Sequence, residues 1–245
     1  MVARAHPIPP IGGLDTASLT AWEGRISAVV YLQGCNFDCP ACPRRHLVPL
    51  RDGLDELPYE RVLEAIHRRR RWLDAIVVGG GEPTLHGGLG GFLALLREFG
   101  LPLRLRTNGS EPGRLRDLLD RGDLRGVELT LRGPLDPTYS VAAGAKVRLA
   151  AIYESIELLL HDPGLHEFRV PWLTHVVESE QVAAVVRMLS GARRVVLVPE
   201  PGSARSVDEL RRIGRETGLL VEHLVLAGRP QEDFGARARG RGALR

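Results

Sequence analysis

Short apolar segments alternate along the chain with longer stretches in which apolar residues recur every three or four positions. The short segments predict buried strands, and the longer stretches predict helices with one apolar face. The helical spacing is regular over residues 89–99 and 149–160. The predicted strands are Ile26–Leu32, Ala75–Val78, Leu103–Arg106, Val127–Leu131, Glu167–Val170, Val195–Val198 and Leu220–Leu226.

Alternation of strands and helices is typical of parallel sheets, because each parallel pair needs a crossover connection that is usually a helix. About six such repeats predict an α/β fold whose parallel strands form a closed or partly closed barrel. With 245 residues and 44% hydrophobic residues, the chain can bury the core of a single barrel domain.

Charge and apolar content narrow the possible partners. The net charge of +3 is small and the basic residues are scattered, so nothing indicates nucleic-acid binding. No apolar segment is long enough to cross a bilayer. The first ten residues carry prolines and a histidine where a signal peptide would have an apolar core. We therefore expect a cytoplasmic protein that binds neither membrane nor nucleic acid.

All three cysteines of the chain, Cys35, Cys39 and Cys42, lie in one CxxxCxxC run directly after the first predicted strand. Three thiolates can ligate three irons of a four-iron, four-sulfur cluster, whereas ferredoxin clusters use four cysteines. The run therefore predicts an iron–sulfur cluster with one iron left open to a small molecule.

Two other interpretations of the cysteines remain open. Together with His46, the three cysteines match the Cys3His ligand set of a structural zinc site, which would make the chain a non-catalytic zinc-binding interaction module. Alternatively, they are free thiols in a reducing compartment, since an odd number of cysteines cannot all pair in disulfides.

Two polar loops follow the second and third predicted strands. The first is Gly79–Leu85 (GGGEPTL), in which glycines allow close backbone approach to a ligand and Glu82 can accept a hydrogen bond from an ammonium group. A glycine triplet by itself is more often a tight turn. The second loop contains Thr107, Asn108 and Gly109. Because parallel barrels place their sites at the carboxyl ends of strands, we expect both loops to lie beside the cysteines.

The order and separation of the CxxxCxxC run and the GGE loop resemble those of the radical S-adenosylmethionine (SAM) superfamily. Asp15–Val48, Gly79–Leu85 and Thr107–Ser110 are similar to activating enzymes of glycyl radical proteins, particularly those of anaerobic ribonucleotide reductase. The resemblance covers about Gly12 to about Val170. It implies a partial (β/α)6 barrel, one 4Fe-4S cluster and bound SAM, which is reductively cleaved to methionine and a 5′-deoxyadenosyl radical.

The resemblance also implies roles for individual residues. Cys35, Cys39 and Cys42 match the cluster ligands. The residues that match the cofactor-binding loops are Gly80, Gly81, Glu82 and Pro83, which receive the methionyl amino group, and Thr107 and Asn108, which lie beside the cofactor.

The chain departs from the activases at several positions. Ala41 replaces an aromatic residue, Arg106 and Thr130 replace two aspartates, and Arg132 replaces a lysine. The two acids are implicated in holding a cation near the cofactor carboxylate. We expect the guanidinium of Arg106 to supply that charge, and Arg132 to contribute to cofactor binding, since arginine can bind a carboxylate through paired donors. Alternatively, both arginines are solvated charges at strand ends.

Without further cysteines the chain has neither an auxiliary cluster nor a catalytic thiol, which suits a small activase. The resemblance implies a glycyl radical enzyme as partner, such as anaerobic ribonucleotide reductase, and flavodoxin or ferredoxin as electron donor. The changed residues favour, as an alternative, a radical SAM enzyme acting on another peptide or a small molecule. We expect an N-terminal extension over residues 1–22, the barrel over 23–228, and a flexible Arg/Gly-rich tail over 229–245.

Overall fold

The structure, a computed structural model, describes residues 8–40, 42–48, 56–172, 179–199, 212–216 and 224–226. Ala41 and the predicted tail lie outside the described residues. The strands are β1 (Ile11–Trp22), β2 (Arg25–Leu32), β3 (Ala75–Gly80), β4 (Leu103–Thr107), β5 (Gly126–Thr130), β6 (Glu167–Trp172), β7 (Val195–Pro199) and β8 (Leu224–Leu226). The helices are α1 (Tyr59–Arg69), α2 (Leu89–Arg97), α3 (Pro112–Asp120), α4 (Thr138–Ala143), α5 (Leu149–His161) and α6 (Ser179–Met188).

The strands form one sheet in the order β1 to β8. Strands β2 to β8 run parallel to their neighbours, and β1 pairs antiparallel with β2. In the described part of the chain β1 and β8 are the two edges, so the sheet is not closed. The predicted α/β fold with a partial barrel of parallel strands is confirmed.

The seven predicted strands are present, and the first part of the strand predicted over Leu220–Leu226, residues 220–223, lies outside the described residues. Strand β1, which comprises residues 11–22 of the expected extension, was not predicted. Its sequence lacks regular alternation, and its pairing with β2 is interrupted by register shifts. The strand is held instead by a two-residue turn, Glu23 and Gly24, in which Gly24 adopts a positive φ of 71°.

The two faces of the sheet differ in character. Outward side chains such as Leu103, Leu105 and Leu129 join the main apolar core, to which helices α2 and α5 contribute. A small second cluster, which includes Trp22 and Val77, lies on the inner face. Because side chains alternate along a strand, charged residues at the other positions of β4, β5 and β6 fall on this inner face. None of the helices in the described part of the chain is long and apolar enough to cross a membrane.

Candidate cofactor site

The cysteine loop begins directly after β2 and is fixed by backbone hydrogen bonds at several points. The Gly34 amide donates to the Leu47 carbonyl at 2.7 Å, and the Cys35 amide donates to the Val48 carbonyl at 3.0 Å. The Asp38 amide donates to the Ala143 carbonyl at 2.9 Å. The loop therefore holds its three cysteines in place through contacts with the chain on both sides.

The three thiols are unpaired, with Cys39 buried and the other two half-buried. Burial raises the pKa of Cys35 to about 11 and also raises the pKa of Cys39. The nearby guanidinium of Arg132 lowers the pKa of both thiols in part. The thiols of Cys35 and Cys39 are therefore protonated until a cationic group binds, because a bound metal deprotonates its thiol ligands.

The donor geometry of the described residues is not that of a site for a single metal ion. Among the described residues, no three or more His, Cys, Asp or Glu side chains are grouped so that they could hold one ion, and His46 is exposed. A Cys3His zinc site needs four donors within about 2.3 Å of one ion. A 4Fe-4S cluster binds each thiolate to a different iron, so its ligands need not converge on one point.

The glycine loop after β3 packs against the backbone that leads to the cysteines. The Gly81 amide donates to the Leu32 carbonyl at 2.8 Å, and the Glu82 amide donates to the Gly34 carbonyl at 2.7 Å. A Cβ atom on Gly81 would lie 2.0 Å from the Gly34 oxygen, and Gly80 has a φ of 114°. The glycines are therefore required because two backbone segments meet here.

Glu82 is fully buried, and its carboxylate is bound by the protein itself. Oε1 accepts hydrogen bonds from the Thr84 amide at 3.1 Å, the Thr84 hydroxyl at 2.6 Å and the Thr107 hydroxyl at 2.7 Å. Oε2 accepts one from the Asn108 amide at 2.6 Å. Burial raises the pKa of Glu82, although these hydrogen bonds oppose the shift. Glu82 thus ties the loop after β3 to the loop after β4, and Pro83 begins the turn that carries Thr84.

The loop after β4 is in turn joined to the cysteine loop. The Asn108 side-chain amide donates to Asn36 Oδ1, and the Asn36 side-chain amide donates to the Ser110 hydroxyl, each at 2.9 Å. The Ser110 amide donates to Asn108 Oδ1, also at 2.9 Å. The expectation that the cysteines and both loops lie together is confirmed. Asn36 has no role predicted from the sequence, although its position next to Cys35 was a usable signal.

Arg106 lies on the inner face and is paired with a carboxylate. Its Nε donates to Glu128 Oε2 at 3.0 Å, and one terminal nitrogen donates to the Ala21 carbonyl at 2.8 Å. Its side chain is only 16% exposed, so the alternative of a solvated strand-end charge does not describe it. Burial favours the neutral acid at Glu128, but the guanidinium groups of Arg106, Arg169 and Arg104 outweigh burial and lower its pKa.

A second buried carboxylate, Glu167, extends this network. Arg104 lies 3.2 Å from it, Arg194 3.1 Å and Arg169 3.7 Å, and Arg104 also stacks over the Trp22 ring at 5.2 Å. Two glutamates are thus surrounded by four arginines among the described residues. This network was not predicted from the sequence. The signal was charge at every second position of otherwise apolar strands, as in the Leu-Arg-Leu-Arg sequence of β4.

Arg132 lies just beyond β5 and beside the cysteine loop. It is half-buried, and its Nε is buried without a hydrogen-bond partner among the described residues. Its effect on the pKa of Cys35 and Cys39 places its charge near both thiols. Among the described residues, Arg132 thus combines a buried Nε that has no hydrogen-bond partner with a charge that acts on the thiols of Cys35 and Cys39.

Comparisons with known proteins agree with this geometry. The sequence model of the radical SAM superfamily matches residues 29–161. Two candidate glycyl-radical enzyme activating enzymes of Methanocaldococcus jannaschii are similar. One is 32% identical over 49% of the chain and 44% of its own length, so the chain spans less than half of that relative. The other is 31% identical over 88% of the chain and 95% of its own length. A 7-carboxy-7-deazaguanine synthase of Hyperthermus butylicus is 38% identical over 39% of the chain and 40% of its own length.

Solved structures share the fold at low sequence identity. Streptococcus suis SuiB bound to its precursor peptide SuiA gives a TM-score of 0.62 at 14% identity, over 82% of this chain and 48% of that one. QueE from Escherichia coli gives a TM-score of 0.58 at 17% identity, over 90% and 94%. With the matched sequence model spanning more than half of the chain, the protein belongs to the radical SAM superfamily, whose members use a 4Fe-4S cluster and SAM.

Proposed function

We propose that the protein is a radical SAM activase that generates a glycyl radical on a partner enzyme such as an anaerobic ribonucleotide reductase. The observation that carries this proposal is the 31% identity to a candidate activating enzyme over 88% of the chain and 95% of the relative. The sequence has only three cysteines, which suits an enzyme with one cluster. Flavodoxin or ferredoxin would serve as the electron donor.

In this proposal Cys35, Cys39 and Cys42 hold the cluster at the carboxyl end of β2. When bound, the cluster and SAM supply the electron and the radical that abstracts hydrogen from the substrate. The backbone of Gly80 and Gly81 lies beside the cysteines, where it can receive the methionyl ammonium group. Glu82 Oε1 already accepts three hydrogen bonds, whereas Oε2 accepts one and retains capacity for another.

The arginines have separate roles in the proposal. Arg132, with a free buried Nε near the thiols, binds the cofactor carboxylate and stabilises the thiolates. Arg106 contributes positive charge from the inner face of the sheet, but two of its nitrogen atoms donate hydrogen bonds to Glu128 and to the Ala21 carbonyl. Thr107 and Asn108 donate hydrogen bonds to Glu82, which oppose the rise of its pKa caused by burial, and so keep the glycine loop in position.

A second candidate function is radical chemistry on a small anionic molecule. The inner face favours it, because four arginines pair with three glutamates among the described residues, namely the buried Glu128 and Glu167 and the exposed Glu23. An excess of guanidinium groups attracts carboxylates. The similarity to a 7-carboxy-7-deazaguanine synthase, whose name describes a carboxylated product, points the same way.

The proposed activity can be tested with protein reconstituted anaerobically with iron and sulfide. We expect about four irons per chain, and 5′-deoxyadenosine formation with dithionite and SAM. Adding a candidate glycyl radical enzyme should produce a glycyl radical signal in electron paramagnetic resonance, and a partner whose target glycine is replaced by alanine should not. Cys39→Ser is the matched control that removes one thiol.

Three other results would count against the proposal. Colourless protein that binds only zinc would support the interaction module. Protein that forms 5′-deoxyadenosine with a carboxylated small molecule, but gives no glycyl radical on any partner, would support the second candidate. Protein that takes up iron but does not cleave SAM would contradict both enzymatic functions.

A further inference from the structure

Asn36, Asn108 and Ser110 form a closed ring of three hydrogen bonds between the cysteine loop and the loop after β4. We propose that Asn36 is a positioning residue that couples the two loops and thereby adds to the mutual stabilisation of the bound cluster and SAM. The proposal rests on the proposed function, in which the cluster sits on the cysteine loop and SAM lies beside the loop after β4.

The orientation of the ring follows from one unambiguous donor. The backbone amide of Ser110 can only donate, so the atom of Asn108 that faces it at 2.9 Å is Oδ1. Asn108 Nδ2 must then face Asn36, which presents Oδ1 to it and Nδ2 to the Ser110 hydroxyl. Asn36 thus acts as acceptor and donor at once, and alanine at this position would remove both bonds.

Asn36 also closes a larger circuit of contacts around the site. The Asn108 amide donates to Glu82 Oε2, and the Glu82 amide donates to the Gly34 carbonyl. Gly34 leads through Cys35 to Asn36 along the chain, and Asn36 returns to Asn108. Within the described residues, both hydrogen bonds that join residues 35–42 to residues 107–110 are made by the Asn36 side chain. Without it, the hydrogen bonds of Glu82 would be the remaining link between these two loops among the described residues.

The cysteine loop has other anchors that do not depend on Asn36. The amides of Gly34, Cys35 and Asp38 donate to carbonyls outside the loop. Removal of the Asn36 side chain should therefore leave the loop able to bind a cluster, and should weaken mainly the coupling between the cluster and SAM. By thermodynamic linkage, the factor by which the cluster strengthens SAM binding equals the factor by which SAM strengthens cluster binding.

The test uses full-length reconstituted protein, with SAM as the probe. A ferrous chelator removes the cluster, and the decay of its visible absorbance is followed with and without SAM; the Kd for SAM is measured by equilibrium dialysis. In the wild type SAM should slow cluster loss. In Asn36→Ala we expect the Kd to rise and the protection by SAM to fall, each by about three- to tenfold, with little change in cluster loss without SAM.

Three variants sharpen the test. Asn36→Asp keeps an acceptor for Asn108 and a second one towards the Ser110 hydroxyl, which can rotate to donate, so it should retain most of the protection. Asp38→Asn is the matched control in the same loop, because the side chain of Asp38 pairs only with exposed Arg45 among the described residues. Ser110→Ala removes one bond of the ring and should lose part of the protection of the cluster by SAM. If Asn36→Ala fails to take up a cluster, the protection measured in Ser110→Ala tests the proposed coupling.

Wild-type protection and wild-type Kd in Asn36→Ala would overturn the coupling, as would unchanged protection in Ser110→Ala if Asn36→Ala proves unable to bind the cluster. Failure of the wild type itself to bind a cluster or SAM would instead contradict the proposed function.

Discussion

Gly81 lies where the segment after β3 passes the backbone of Gly34, one residue before the first cysteine. A Cβ atom at position 81 would lie 2.0 Å from the Gly34 oxygen, which also accepts the hydrogen bond of the Glu82 amide. Because the clash is with backbone, no side-chain rotation can relieve it. The contact sets the distance between the glycine loop and the cysteines.

Gly81→Ala should therefore push the two loops apart. We expect the free energy of unfolding of the cluster-free protein to fall by about 2–4 kcal/mol, as measured by urea denaturation, and the affinity for the cluster to fall with it. Gly91→Ala is the matched control: this glycine is exposed in α2, and its Cβ would meet nothing within 4 Å. Alanine there should stabilise the helix by up to about 1 kcal/mol. Equal stability of Gly81→Ala and wild type would show that the close approach does not exist.

At the scale of single elements, β1 contributes more than an edge strand. Its last residue, Trp22, is only 6% exposed and belongs to the inner apolar cluster with Val29 and Val77. The guanidinium of Arg104 stacks over the Trp22 ring, and the neighbouring Ala21 carbonyl accepts a hydrogen bond from Arg106. The end of β1 thus packs against the charged network on the inner face of the sheet.

Replacing Trp22 with alanine should remove apolar contacts and the aromatic partner of a buried arginine. We expect the free energy of unfolding to fall by about 3–5 kcal/mol, measured by chemical denaturation. Trp72→Ala provides the same substitution at a residue that is 76% exposed and should change stability by less than about 0.5 kcal/mol. Similar small effects for both tryptophans would mean that β1 is not packed into the barrel.

The network across β4, β5 and β6 makes stability depend on pH. Glu128 has a pKa below its usual value because Arg106, Arg169 and Arg104 outweigh the effect of burial. A carboxyl group with a lowered pKa in the folded state stabilises the protein above its unfolded pKa, and this contribution is lost as the pH falls through the folded pKa. Protonation of Glu128 in acid would leave three buried or half-buried guanidinium groups without this partner.

Glu128→Gln should show the same loss at neutral pH. We expect it to lower the free energy of unfolding by about 3–5 kcal/mol at neutral pH, and the difference from wild type to shrink as the pH is lowered below the usual glutamate range. Glu64→Gln is the matched control, because its partner Arg68 is on the surface and the exposed pair contributes less than about 1 kcal/mol. A difference that does not change with pH would contradict the assignment of this titration to Glu128.

At the scale of the whole molecule, the features that depend on local sequence patterns could be predicted, namely the strands and the edge of the sheet at which the polar loops meet. Apolar runs such as Ala75–Val78 predicted the parallel strands, and the strand ends predicted where the polar loops meet. Contacts between distant segments were not predictable in this way. The partners of Glu82 at Thr107 and Asn108 are 25 and 26 residues away. The same holds for β1, whose strand conformation depends on pairing with β2 and not on its own alternation.

The contribution of β1 leads to a prediction about the unit that folds. A chain that begins at residue 23 would expose the free edge of β2, remove Trp22 from the inner cluster and leave Arg106 without the Ala21 carbonyl. We expect such a chain to lose cooperative unfolding in circular dichroism melts and to bind no cluster, since unpaired strand edges and unsatisfied buried donors are both costly. Removal of residues 229–245, which the composition predicts to be flexible, is the matched truncation and should leave the melting temperature within a few degrees of wild type. Cooperative unfolding and normal cluster uptake by the chain that begins at residue 23 would show instead that the barrel is complete without β1.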